Sequence, residues 1–148
     1  MIFIDSDVFL VDLRYTRDRR HADNARFLRR IRNRGDGFIT IFNLLEVCGV
    51  LSFNLNPRQL RELYAHLPAR YRIRVVPSHE PHVALPRLTP GVVLKVMEMR
   101  ASLGDAQVVA VLQAMEPRPD QVVTWNTAHF HGRIGAPVVT PLEIVKRM

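Results

Sequence analysis

Residues Phe3–Asp12, FIDSDVFLVD, decide how the chain is read. The opening run MIFI is too short and too uniformly apolar for an amphipathic helix, so it is expected to form a buried strand. The run breaks at Asp5, and DVFLVDL after it has a helical pattern. Three acids, Asp5, Asp7 and Asp12, therefore sit at the first strand-to-helix junction of a chain whose formal charge is +7. A buried strand that closes on a carboxylate needs a reason, because an unpaired ionised acid is costly to desolvate. One reason is ordinary: Asp5, Ser6 or Asp7 caps the helix. The other is a site.

Working outward, the same alternation of short β-like runs and helical patterns repeats along the chain and predicts an α/β fold on a parallel sheet. In HADNARFLRRIRNRGDG, Phe27, Leu28 and Ile31 form an apolar stripe and Gly35 and Gly37 supply the stop. FITI is the second strand, with NLLEVCGVLSF as a helix that Asn43 is placed to cap. Asn56-Pro57, Thr89-Pro90 and Thr140-Pro141 each predict a helix start, since proline at the first helical position gives up an amide that has no partner there. YRIRVV, QVVTW and APVVT are the remaining strands, and GVVLKVMEMRA with GDAQVVAVLQAM is expected to fold as a helical pair.

The 148 residues fit one domain, 1–148, and 47% hydrophobic content argues for a folded core. No apolar run nears the ~20 residues of a membrane span. MIFID lacks the features of a secretory signal, and one cysteine, Cys48, allows no internal disulfide, so a cytoplasmic location is expected. The positive charge is nearly all arginine; Lys95 and Lys146 are the only lysines. Guanidinium groups suit phosphate oxygens and stack on bases, so the arginines from Arg14 to Arg34 can form a nucleic-acid face or simply a solvated one, in part paired with acids.

Ligands of open parallel sheets bind beyond the carboxyl ends of the strands. Asp5 stands there after strand one and Glu46 a few residues past strand two. Thr124, Asn126 and His129 follow the QVVTW strand, and Asp105 begins a helix. Asn43–Glu46 and Ser102–Asp105 also have capping-box spacing, which offers each acid a structural role. If the three carboxylates share a pocket, either a raised pKa or a cation must relieve their repulsion, and a hard divalent ion is the simpler answer. His79 and His82 flank Pro81 in a loop and make a poor zinc site.

These segments resemble the PIN-domain nucleases, especially the VapC-type toxins. FIDSDVFL is similar to their opening strand and first acid, ITIFNLLEV to the segment bearing their glutamate, GDAQVVA to their third acidic motif and VVTWNTAHF to their fourth. The resemblance implies a three-layer α/β/α domain with a central parallel sheet of about five strands. It also implies metal-dependent hydrolysis of RNA phosphodiesters, with Asp5, Glu46 and Asp105 binding Mg²⁺ or Mn²⁺, a homodimer, and a cognate antitoxin. The family's fourth acid falls at Asn126, an amide without charge. Ser6, Asp7, Thr124 and His129 are expected to support the site or contact substrate. Asp120 precedes its strand and is expected at the opposite edge. Two rival readings are a haloacid-dehalogenase-like phosphatase with Asp5 as nucleophile and Asp7 as acid/base, and an RNA- or antitoxin-binding domain without chemistry.

Overall fold

β1 (Ile2–Ile4) is buried along its whole length, and its side chains alternate between two cores: Ile2 and Ile4 face one side of the sheet and Phe3 the other. The same alternation holds in β2 (Gly37–Thr40), where Ile39 and Phe38 part, and in β4 (Gln121–Val123), where Val123 and Val122 part. Strands buried on both faces require helices on both faces, which is why the runs read as continuously apolar. The computed structural model describes residues 1–147.

With β3 (Arg74–Val76) and β5 (Val138–Val139), the strands form a parallel sheet in the order β3-β2-β1-β4-β5. One face carries α1 (Ser6–Leu13), α2 (His21–Arg34), α3 (Ile41–Ser52), α4 (Pro57–Tyr71) and α7 (Pro141–Lys146). The other carries α5 (Pro90–Met97) and α6 (Leu103–Ala114), which pack together as the expected helical pair. This is the expected three-layer α/β/α architecture. The chain moves outward from β1 to β2 to β3, then crosses to β4 on the far side of β1. Right-handed crossovers in opposite directions put their helices on opposite faces, so the order itself explains the three layers. It also creates a topological switch point between β1 and β4, at the ends of the strands that carry Asp5 and Thr124.

The three proline-marked helix starts are present, with Asn56, Thr89 and Thr140 each accepting a bond from the backbone three residues on. Two boundaries move. Gly35 ends α2 in the left-handed region at φ 66°, whereas Gly37 opens β2. A Cβ at Gly37 would meet Ile31 Cγ2 at 2.6 Å and Ile4 Cδ1 at 3.0 Å, so that glycine serves helix-on-sheet packing. Tyr71 belongs to α4, which continues through Pro68, so β3 is shorter than YRIRVV. Asp120, as expected, lies at the amino edge of the sheet, paired with the chain's amino group.

Candidate active site

Asp5 follows directly on β1, and its backbone N–H bonds Val123 O at 2.9 Å, which ties it to the neighbouring strand β4. Its side chain caps α1 by accepting from Ser6 N at 2.8 Å. It also accepts from Asn43 Nδ2 at 3.0 Å and from Thr124 Oγ1 at 2.9 Å. The capping role of Asp5 is present, and it fixes the carboxylate at the switch point.

For Glu46 the capping role is overturned. Thr40, not Asn43, caps α3, accepting from Asn43 N at 3.2 Å, and the helix starts at Ile41. Asn43 and Glu46 consequently lie one turn apart inside the helix, on the same face. Asn43 is buried and reaches Asp5; Glu46 is exposed and accepts from the Ser6 hydroxyl. Asn43 is the site residue that sequence reasoning missed, and its signal was the three-residue spacing to Glu46.

Asp7 is more deeply engaged than expected. Its Oδ2 accepts from Thr124 Oγ1 at 3.0 Å, from Trp125 N at 2.9 Å and from Asn126 N at 3.1 Å, so it anchors the segment that leaves β4. Its Oδ1 is buried and has no hydrogen-bond partner. Asp12 takes no part in the site. It accepts from Tyr71 Oη at 2.6 Å, and burial together with that bond raises the Tyr71 phenol well above its ordinary value.

At Asp105 the helix cap is Ser102, through the Asp105 amide at 3.2 Å, and the carboxylate is free to turn elsewhere. It meets His129 Nδ1 at 3.1 Å, while His129 Nε2 lies 2.7 Å from Asn126 Nδ2. The Asn126 amide nitrogen only donates, so His129 Nε2 is placed to accept from it while Nδ1 faces the Asp105 carboxylate. The polar groups thus form one chain: Asp105, His129, Asn126, Asp7, Thr124, Asp5, Ser6, Glu46. The expectation that Asp5, Glu46 and Asp105 converge as one ligand set is corrected. Among the described residues no three His, Cys, Asp or Glu side chains stand at metal-holding separation, since Asp105 is turned to His129 and the Ser6 hydroxyl lies between Asp5 and Glu46.

The electrostatics are those of a site short of positive charge. Burial, and next the charge of Asp7, push the Asp5 carboxyl well above its ordinary value, with Glu46 adding to the shift. Burial likewise raises Asp7 against three hydrogen bonds that lower it. The Thr124 hydroxyl has one proton and faces both Asp5 Oδ2 and Asp7 Oδ2; given to Asp5 it leaves Asp7 Oδ2 with the Trp125 and Asn126 amides, so the two acids compete for one donor. No Lys, Arg or His forms an ion pair with Asp5, Asp7 or Glu46 among the described residues. The donors present are hard oxygens, the kind a divalent cation such as Mg²⁺ or Mn²⁺ takes, with waters completing a shell that no three of these side chains supply among the described residues.

The fold is the PIN-like α/β/α fold, as the comparison with solved structures shows. The chain is similar to FitAcB from Neisseria gonorrhoeae, with TM-score 0.61 and 17% identity, covering 95% of this chain and 98% of that one. It is also similar to a chain of FitAB bound to an IR36 DNA fragment, with TM-score 0.58 and 17% identity over 96% of each chain. A third similar structure is VapC20 of Mycobacterium tuberculosis, a sarcin-ricin loop cleaving toxin, with TM-score 0.52 and 17% identity over 82% of this chain and 87% of that one. No family model and no curated protein sequence matches the chain.

Proposed function

We propose that this protein is a Mg²⁺- or Mn²⁺-dependent endoribonuclease that acts as the toxin of a toxin–antitoxin pair. The observation that carries the reading is the cluster of Asp5, Asp7 and Glu46 at the switch point, none of them in an ion pair among the described residues, in a chain whose net charge is +7. Likeness in fold to FitAcB and to the RNA-cleaving VapC20 supports the class. Asp5 and Glu46 would hold the ion, with waters completing its shell. When bound, the ion polarises the phosphodiester and lowers the pKa of its water.

The remaining work falls to the chain's own residues. Asn43 and Thr124 fix both oxygens of Asp5, so its carboxylate cannot rotate away. Ser6 orients Glu46 on the exposed side, where substrate arrives. Asn126 contributes an amide and no charge, so a second metal would bind weakly or only with substrate. A cytoplasmic homodimer restrained by an antitoxin belongs to this reading, and no described helix is long and apolar enough to cross a membrane.

Asp7 speaks against the phosphatase alternative. An acid/base residue needs a free oxygen facing substrate, whereas Asp7 Oδ2 is occupied by three donors and Oδ1 is enclosed. The decisive experiment incubates purified protein with mixed structured RNAs, in Mg²⁺ or Mn²⁺ against chelator, beside Asp5→Asn. Metal-dependent cleavage that disappears in Asp5→Asn is the expected outcome. Hydrolysis of small phosphomonoesters without RNA cleavage would favour the phosphatase, and tight RNA binding without cleavage would favour a binding domain.

A further inference from the structure

Beside the carboxylates stands an assembly that the chemistry above does not use. Arg20 precedes α2, and its guanidinium carbon lies 5.5 Å from the centre of the Trp125 ring. Asp18 clamps it in two places, with Nε donating to Oδ1 at 2.9 Å and Nη2 to Oδ2 at 2.7 Å, while the Arg20 backbone N–H also bonds Oδ1 at 2.8 Å. Trp125 packs against the core, and its indole N–H donates to Asn24 Oδ1 at 2.8 Å. Asn24 is itself fully buried and donates to Val8 O at 2.9 Å. The backbone amide of the same tryptophan holds Asp7 Oδ2. A guanidinium is therefore held over an indole ring directly next to the acid cluster.

We propose that Arg20 stacked on Trp125 is a platform for an unpaired nucleobase of RNA, adjacent to the phosphodiester that the carboxylate site engages. The proposal rests on the ribonuclease reading and names the part of the substrate that this edge of the site recognises. A phosphate is the poorer occupant, because Asp18 neutralises Arg20 and Asp7 lies behind it. What the pair offers is a planar face. The Arg20 side chain lies over the indole and is still 42% exposed, which leaves part of the guanidinium to meet a base. Bases stack on aromatic rings and on guanidinium planes, and single-stranded RNA presents bases free to do so. Because Asp18 has already fixed the guanidinium, little side-chain freedom remains to be lost when a base docks. Its Nη1, not used by Asp18, is the spare donor for a base-edge acceptor.

Trp125 is the single tryptophan of the chain, so its emission reports on this spot alone. The test titrates a short single-stranded RNA into the full chain in chelator, where no cleavage occurs, and repeats the titration with inorganic polyphosphate of similar length. RNA is expected to change Trp125 emission saturably and polyphosphate to leave it nearly unchanged. Arg20→Ala and Arg20→Lys are each expected to weaken RNA binding by about tenfold, measured by anisotropy of a labelled RNA, with polyphosphate binding unaffected. Lysine keeps the charge and loses the plane, so Arg20→Lys binding RNA as the parent does would overturn the platform. Equal emission changes with polyphosphate and RNA would do the same. RNA cleaved in Mg²⁺ by a protein whose Trp125 emission ignores RNA would sink the platform alone, whereas no RNA binding and no cleavage would sink the ribonuclease reading with it.

Discussion

Thr124 joins the two halves of the site. It is fully buried, and its hydroxyl touches Asp5 and Asp7 while accepting from Asn126 N at 3.0 Å. Thr124→Val keeps the shape and removes the only side-chain donor these two acids share. The oxygens left behind cannot regain water, so the expected loss is about 1–3 kcal/mol, the cost of stranding a buried polar group. For a domain of this size that lowers the melting temperature by roughly 3–10 °C. Because the same hydroxyl bond holds both carboxyls below where burial alone would put them, its removal raises them further. RNA cleavage in Thr124→Val should consequently recover, in part, at higher pH. A variant that melts with the parent and cleaves with the parent's pH profile would show that Thr124 does not hold the acids together.

Among the elements, β2 and α2 carry the clearest consequences. Gly37→Ala drives a methyl into Ile31, Ile4 and Ile73, all of which are buried, and overpacking of this kind costs about 1–3 kcal/mol. Chemical denaturation should register the drop with an unchanged denaturant slope. The 14 residues of α2 run from Trp125 back to the amino edge of the sheet, a length of about 21 Å. Arg26, Arg29 and Arg30 line a depression on it, with Asn33 and Val145 beside them, and none forms an ion pair among the described residues. Acid partners for these arginines were one expectation from sequence; the structure pairs only Arg20 and Arg34 within this stretch. If they track RNA, replacing all three with Gln should flatten the plot of log affinity against log salt by about 2, or ~0.7 per phosphate contact on a single strand. An unchanged slope in chelator would leave them as solvated charge. The strand segments, the parallel sheet and the proline-marked helix starts were legible because each follows from local pattern, the three layers were what the family resemblance implied, and the strand order, which rests on tertiary pairing, was not read at all. Asn43 was misread because Thr40 and Asn43 both have cap chemistry, and only tertiary contact with Asp5 decides between them. The turning of Asp105 to His129 was illegible for a similar reason: it links groups from two elements through a side-chain rotation.

In the whole molecule, the acid cluster is held at the switch point by the rest of the fold, and that arrangement leaves a signature in stability. Asp5 and Asp7 both have raised values in the folded state. Above about pH 4, where an unfolded aspartate has lost its proton, the native protein still keeps protons on these acids. The native state then binds more protons than the unfolded one, so stability falls as pH rises, until the raised folded values are passed. Asp18 and Glu143 act in the opposite sense. Arg20 lowers the first and the Thr140 amide the second, so their stabilisation is complete above the ordinary carboxylate range and is lost only in acid. The Cys48 thiol, which burial pushes up to about 11, affects only alkaline solution. From the ordinary carboxylate range upward, until the raised folded values are passed, the chelator-treated protein should therefore melt at progressively lower temperature as pH increases. Asp5→Asn removes the more strongly shifted of the two, so it should flatten this dependence and melt above the parent once the parent's Asp5 is ionised, while the ribonuclease reading has it lose cleavage. Mg²⁺ at a hundredfold excess over its dissociation constant should restore about 2.7 kcal/mol to the parent at pH 8 and far less to Asp5→Asn. Calorimetric scans across this range, with and without Mg²⁺, separate the outcomes. A melting temperature that stays level or climbs with pH in chelator, in parent and variant alike, would mean that the acids at the switch point are not held against their own repulsion.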